Sequence, residues 1–563
     1  MFKHFFICCV ALFSMTSCQS QKESVEVMSH SVNQSELMND RYMNDRPKLV
    51  VGIVVDQMRY DYLTRFYHKF GEGGFKRLIK DGFNCKNNHF NYVPTYTGPG
   101  HASVYTGTTP KYHGIIGNNW YDKTTKEMVY CAGDESVQSV GTTNNAGQMS
   151  PHRMLTTTFA DENRLFTQMR GKTIGISLKD RGAILPAGHT ANAAYWFHGQ
   201  DEGVWITSTF YTSKLPKWVT DFNASKTAES YLKPWNTLYD IATYTESGSD
   251  ENSFEGGFRW KETATFPYDL ATLKDDNRGF DILKATPYGN SLTTDFAMAA
   301  IVGEDLGKDG TTDVLTVSYS STDYVGHNFG VNSKEIEDTY IRLDKDLERF
   351  LNYLDTTVGA GEYTVFLTAD HGAVDVPSYL QSVKIPAGYL NFSQTREALN
   401  DFMTTKYNDQ RLVENISNDQ LFLNRQLIDS LGLDILKVQE QLVTELIGYD
   451  HVSKVYSAHT MSTTNFTTGI ESLLQNGFNQ KRSGDVIMVS DIAYIPYGRT
   501  GSTHGSGLNY DTHVPLIFYG KGIRKGDTLK KTIISDIAPT LSALLGISFP
   551  NGSTGQPLEY VID

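Results

Sequence analysis

The sequence predicts an α/β protein built on a doubly wound, mostly parallel sheet flanked by helices. Three observations lead there. Short β-branched apolar runs recur along the chain, each run closes on a charged or metal-ligating side chain, and helical stretches separate the runs. Strands buried on both faces read as continuous apolar runs, and such sheets bind their ligands beyond the carboxyl ends of the strands.

The first such run is residues 48–55 (KLVVGIVV), followed directly by Asp56. Residues 172–177 (KTIGIS) lead to Lys179 and Arg181, residues 313–318 (DVLTVS) to Asp323, and residues 363–368 (YTVFLT) to Asp370 and His371. Ile336, Tyr340, Leu343, Leu347, Leu351 and Leu354 fall at helical steps, which predicts a helix over 334–354 with one core face and one charged face. Between about 190 and 287 the pattern turns to loops and aromatics. Trp196, Trp205, Trp218, Trp235 and Trp260 lie in this stretch, which reads as an insertion over the sheet whose rings fill its own core or face substrate. A second insertion, at about 379–484, carries amphipathic helices. The domain is expected to span 46–563.

Residues 1–18 (MFKHFFICCVALFSMTSC) place Lys3 before an apolar run from Phe5 to Phe13 and small residues up to Cys18, the layout of a secretory signal. The run is shorter than the ~20 residues a membrane span needs. Met15-Thr16-Ser17-Cys18 resembles a bacterial lipobox, which predicts a lipid anchor on Cys18, with simple cleavage near it as the alternative. Residues 19–45 show no period and read as a polar tether. The mature chain is expected to be an exported monomer, periplasmic or anchored at the outer membrane. Cys85 and Cys131 remain in the body, where an exported compartment allows pairing. With 50 Lys and Arg against 64 Asp and Glu the net charge is −14, and no basic stripe is segregated. Nucleic acid is therefore excluded as a partner.

The chemistry gathers in four places: Asp56, Asp323 with His327, Asp370 with His371, and His504 within Gly501-Ser502-Thr503-His504-Gly505. Three carboxylates and three imidazoles at one sheet edge suit divalent metal, because burying that anionic charge without a cation is prohibitive. Mixed Asp/His sets without thiolate favour zinc, and six ligands suffice for two ions with open positions. Thr97, 41 residues after Asp56, is the candidate nucleophile: a hydroxyl at a helix N-terminus and beside a cation is favoured as an alkoxide. A helix-capping role for Thr97, and Thr95 as nucleophile, are the alternatives. Asn118, and Lys179 with Arg181, are candidate phosphoryl ligands. If extended, the segment would turn both cations to one side.

The motifs VVDQMRYDYL, NYVPTYTGPGHASVYTG, HGIIGNN, SLKDRGAILPAGH, SYSSTDYVGHNFG, TADHG and GSTHGSGLNYDTHVPL resemble, in this order, the alkaline phosphatase superfamily. They are most similar to its phosphate-irrepressible alkaline phosphatases of the PafA type. The resemblance implies two zinc ions, one held by Asp323, His327 and His504, the other by Asp56, Asp370, His371 and the nucleophile Thr97. It implies a phosphoryl clamp of Asn118, Lys179 and Arg181, phosphate monoesters as substrates, and a covalent phosphothreonine. Lys179 stands where other members hold a third ion, so two are expected. Sulfatases of the superfamily need a Cys-X-Pro-X-Arg site, whereas this chain has Thr97-Gly98-Pro99-Gly100-His101. Nucleotide pyrophosphatase/phosphodiesterases share Asp56, Thr97, Asn118 and the Asp/His pattern, and the Lys179/Arg181 pair favours a monoester dianion over a diester. A catalytically silent binding protein retaining the fold is the reading from another class.

Overall fold

In the computed structural model, residues 46–563 are described, so the expected leader, the Cys18 anchor and the 19–45 tether lie outside the described residues. The main sheet begins with β1 (Leu49–Val55), β2 (Phe83–Cys85), β3 (Ser139–Val140), β4 (Thr173–Ser177), β5 (Ala193–His198), β6 (Val204–Ser208), β7 (Asp313–Tyr319) and β8 (Tyr363–Thr368). The chain then builds a separate antiparallel sheet from β9 (Val413–Ser417), β10 (Gln420–Leu423), β11 (Val452–Ser457) and β12 (Val486–Ser490), and returns with β13 (Leu516–Gly520) and β14 (Gly526–Thr528). Across the main sheet the order is β14-β2-β13-β8-β1-β7-β4-β5-β6-β3.

The centre is parallel: β8, β1, β7, β4 and β5 all run the same way. Antiparallel pairings enter on either side, β13 on β8 and β6 on β5. Every residue of β1, β7 and β8 is buried, which is why all three read as unbroken apolar runs. Register does the positioning. Val54 pairs with both Ser318 and Thr368, and Ser318 pairs with Ser177, so one row crosses four strands. Asp56, Lys179, Asp370 and the turn before Asp323 all emerge just past that row, on one edge.

Helices cover the sheet: α1 (Thr97–Thr106), α2 (Asp180–Ala187), α3 (Pro287–Gly303), α4 (Ser321–Phe329) and α5 (Lys334–Leu354). The bounds of α5 are those its spacing predicts, and all six apolar positions are buried. Its charged face departs from expectation, because Glu335, Glu337, Asp338, Asp344 and Asp346 are buried as well. Asp338 accepts from Trp235 Nε1 (2.7 Å), Leu238 N (2.7 Å) and Arg342 Nε (2.6 Å). Asp344 accepts from Gly71 N and Phe75 N, and Glu335 from the Tyr268 hydroxyl. The inserted aromatic stretch and the loop at 71–75 thus cover the acids and supply donors that replace water.

β5 and β6 lie within the predicted first insertion but extend the main sheet, where Trp205 stacks on Phe296 of α3 at 4.1 Å. Trp235 is buried and Trp260 is 83% exposed, so the rings do not share one role. The second insertion has its own core, in which α6 (Phe392–Tyr407) and α7 (Ile435–Leu446) pack Leu399, Met403 and Leu442 against Leu421 and Val486. That core includes β12, which lies beyond the predicted boundary at 484. Cys85 and Cys131 are separate buried thiols, not a bridge, and burial pushes both up to about 12.

Candidate active site

Thr97 opens α1 directly after an extended Tyr96, so its hydroxyl stands at the helix N-terminus and is not used as a cap. Gly100 lets the helix approach: a Cβ there would lie 2.4 Å from the carbonyl oxygen of Asp370. Thr97 Oγ1 is 3.5 Å from Nε2 of His371. The Thr95 hydroxyl donates to Ser506 O and is engaged elsewhere. Asn118 reaches α1 from the following loop, accepting from Gly98 N at 2.7 Å.

The three imidazoles are oriented alike. His327 Nδ1 donates to Ser502 O (2.7 Å), His504 Nδ1 to Thr95 O (2.7 Å) and His371 Nδ1 to Gly372 O (3.0 Å). A carbonyl only accepts, so each Nδ1 carries a proton and each Nε2 is the atom turned to the carboxylates, the orientation of metal-binding histidines; burial keeps His371 and His504 neutral, with the Nε2 lone pair free. Asp323 Oδ1 lies 3.1 Å from His327 Nε2 and 3.7 Å from His504 Nε2. Asp56 Oδ1 and Asp370 Oδ2 lie 3.5 and 3.4 Å from His371 Nε2. Two groups of side chains could each hold a metal ion: Asp323, His327 and His504, and Asp56, Asp323 and His371. The first coincides with the expected set. The second holds Asp56 and His371 of the other expected set together with Asp323, which belongs to both groups, while Asp370 Oδ2 stays 3.4 Å from His371 Nε2.

Lys179 Nζ donates to Asp56 (2.6 Å) and Asp323 (2.5 Å). Burial alone would raise the carboxyl of Asp323, but His327 and Lys179 outweigh it and hold it well below the usual range. Burial, then Asp56, push Asp370 well above that range, and burial with Asp323 also raises Asp56. Burial lowers His371 to about 3 and takes His504 well below its ordinary value. Asp56 Oδ1 and Asp370 Oδ2 are buried without a hydrogen-bond partner. Orphaned carboxylate oxygens facing unprotonated Nε2 atoms are a donor set that divalent cations fit.

Lys179 and Arg181 do not project together from an extended segment. Lys179 is extended, but α2 starts at Asp180 and carries Arg181 towards Tyr130, whose hydroxyl accepts from Nη1 at 3.1 Å. Arg181 Nε is buried and unpartnered. Two supporting residues escaped the sequence reading. Gln57 sits at φ +62°, its amide donating to Asp370 (3.1 Å) and its side chain to Asp323 (2.7 Å). His101 donates from Nδ1 to Thr97 O (2.9 Å), and its Nε2 accepts from Ser318 Oγ (2.8 Å). Its position four residues after Thr97, one helical turn, is the signal that could have found it.

An Asp/His pocket at the carboxyl edge of a doubly wound sheet, with a hydroxyl at a helix N-terminus, defines the class. The chain belongs to the Type I phosphodiesterase / nucleotide pyrophosphatase family, part of the alkaline phosphatase superfamily, matched over residues 50–514. Within it, alkaline phosphatase PafA of Elizabethkingia meningoseptica is 46% identical over 521 residues, 92% of this chain and 95% of that one. Alkaline phosphatase PhoV of Synechococcus elongatus is 44% identical over 556 residues, 98% of each chain. A Myroides odoratus protein named a calcium-transporting ATPase is 44% identical over 524 residues, 92% of this chain and 95% of that one. A crystal structure of wild-type alkaline phosphatase PafA matches with a TM-score of 0.89 over 92% of this chain and 99% of its own, at 46% identity.

Proposed function

We propose that this chain is a zinc-dependent alkaline phosphatase that hydrolyses phosphate monoesters through a phosphothreonine and releases inorganic phosphate. The observation that carries the reading is the Thr97 hydroxyl at the mouth of α1, 3.5 Å from an unprotonated imidazole nitrogen of the metal-fitting pocket. The two relatives named alkaline phosphatases support it. The ATPase name of the Myroides relative describes related phosphoryl-transfer chemistry, and no helix among the described residues is long and apolar enough to cross a membrane.

Asp323, His327 and His504 would hold one zinc ion, and Asp56, Asp370 and His371 another beside Thr97. When bound, the ions supply Lewis acidity that stabilises negative charge on the attacking and departing oxygens. The protein's own groups do the rest. Thr97, its alkoxide favoured by the α1 dipole, attacks phosphorus in line, forming the Oγ–P bond as the bond to the leaving alcohol breaks. Water then attacks the phosphothreonine and returns the hydroxyl, so two inversions give net retention. Asn118, Lys179 and Arg181 hold the nonbridging oxygens, and a loose transition state makes that positioning the main contribution. For the monoester dianion, the two cations neutralise an oxygen that a diester would carry as a second organic group. With its leader, the protein would act in the periplasm or from a lipid anchor on Cys18.

Thr97→Ala tests the reading: turnover of an aryl phosphate should fall by about 10³-fold or more with zinc still bound. Turnover near wild type would reject Thr97 as nucleophile.

A further inference from the structure

Beside His504 the fold forms a cleft of about 730 Å³ between the catalytic loops and the second insertion. Tyr96 and His504 form one wall, Asp419 another, and Ile470, Leu473 and Met488 supply an apolar side. The Tyr96 and His504 rings meet edge to face at 5.7 Å, and through His504 the cavity adjoins the Asp323, His327 and His504 group. Under the proposed function, on which this inference rests, that group faces the departing alcohol.

Asp419 is held there by construction. Asn418 and Asp419 form the tip of the β9–β10 hairpin, both in the left-handed region at φ +52° and +56°. Asn418 Nδ2 donates to Asn119 O at 2.7 Å, next to Asn118, and Met488 N donates to Asp419 O at 2.8 Å. The tip is thus fixed to both the catalytic loop and β12. Among the described residues, neither the Asp419 carboxylate nor the Tyr96 hydroxyl has a hydrogen-bonding partner, and Asp419 is close enough to help burial raise the Tyr96 phenol. Burial pushes the carboxyl of Asp419 up to about 6.

We propose that this cavity binds the leaving alcohol of phosphate monoesters that carry a ring-sized, hydroxyl-rich body, such as hexose phosphates. Asp419 accepts from its hydroxyls, Tyr96 donates to one, and the apolar side covers its C–H face. The alternatives fit less well. A wholly apolar alcohol would leave an acceptor and a donor desolvated and unpaired. An ammonium alcohol would satisfy Asp419 but offer nothing for the Tyr96 O–H, and a second anionic group would meet a lining on which Asp419, Asp491 and Asp511 outnumber Lys454 and Lys531. A methyl or ethyl group would leave unfilled a volume that lies in the range of small-molecule sites.

The test is the ratio of kcat/KM for glucose 6-phosphate to that for ethyl phosphate, measured on zinc-loaded wild type, Asp419→Asn, Tyr96→Phe and Leu473→Trp. Each variant should lower the ratio by about tenfold: the first two by removing a hydrogen-bond partner, the third by filling the cavity. Asp419→Asn keeps the size and the hairpin conformation, so a folding defect is not the expected readout. Ethyl phosphate turnover with a ratio unchanged in all three variants would overturn the pocket assignment alone. No phosphate release from either ester by wild type would overturn the phosphomonoesterase reading, and this inference with it.

Discussion

Replacing Gly100 by alanine adds a single methyl where α1 crosses the Asp370 loop. That carbon would lie 2.4 Å from Asp370 O and 2.7 Å from Asp370 Cβ. Ordinary contact begins near 3.4 Å, so the helix and the loop must part by about 1 Å. Neither yields easily: Asp370 is fixed by Gln57 N, and α1 by the Asn118 bond to Gly98 N. The separation falls between Thr97 and the Asp370/His371 pair, the proposed nucleophile and its proposed metal ligands. A 1 Å misplacement costs about 10²-fold in rate, or ~2.7 kcal/mol of barrier. The overpacking itself should destabilise the fold by only about 1–3 kcal/mol. Steady-state kinetics on an aryl phosphate in zinc-supplemented buffer, alongside thermal unfolding, separates the two effects. Gly100→Ala should remain folded at the assay temperature while kcat/KM drops about 10²-fold. A folded variant within threefold of wild type would refute the reasoning that this close approach sets the nucleophile.

Lys179→Ala and Arg181→Ala should each lose far more monoesterase than diesterase activity, read from an aryl phosphate and the matching bis-aryl diester; equal losses would contradict the clamp. Asp338→Ala should destabilise by about 3 kcal/mol, because Trp235 Nε1, Leu238 N and Arg342 lose a buried partner, and a melting temperature unchanged within error would show that water replaces it. Burial raises the carboxyl of Glu335 to about 8, with Asp250 and Asp338 adding to the shift. A raised carboxyl favours the fold fully below the ordinary Glu value of 4.5, and that contribution is lost as pH rises through the folded value. Glu335→Gln should therefore match wild type near pH 4.5 and be the more stable of the two at pH 8, as thermal unfolding at both pH values would show. A difference independent of pH would contradict the assignment.

β1, β7 and β8 were legible because central parallel strands bury both faces, and Asp56 and Asp370 because these carboxylates follow such strands within a residue or two. The helix α5 was legible from its apolar spacing. Its acidic face was not, because Glu335, Asp338 and Asp344 look like a solvent face until Trp235, Tyr268 and the loop at 71–75 arrive from elsewhere in the chain. The turn from extended Lys179 into α2 carries no glycine or proline signal, so the expected extended course of residues 179–181 gives way to a helix start at Asp180. Gln57 adopts a left-handed backbone without being glycine, a strain imposed by its bonds to Asp323 and Asp370, both distant in sequence. Asp419 reaches the site only because a hairpin of the second insertion folds back over Asn118 and Tyr96, a contact that no local pattern announces.

The account depends on two cations sharing one pocket with the Thr97 hydroxyl. X-ray diffraction from crystals of the zinc-loaded protein, with data on both sides of the zinc edge, tests that directly. The expected result is two anomalous peaks, one among Asp323, His327 and His504 and one among Asp56, Asp370 and His371 within bonding reach of Thr97 Oγ1. A single peak, or a pair with neither near Thr97, would contradict it.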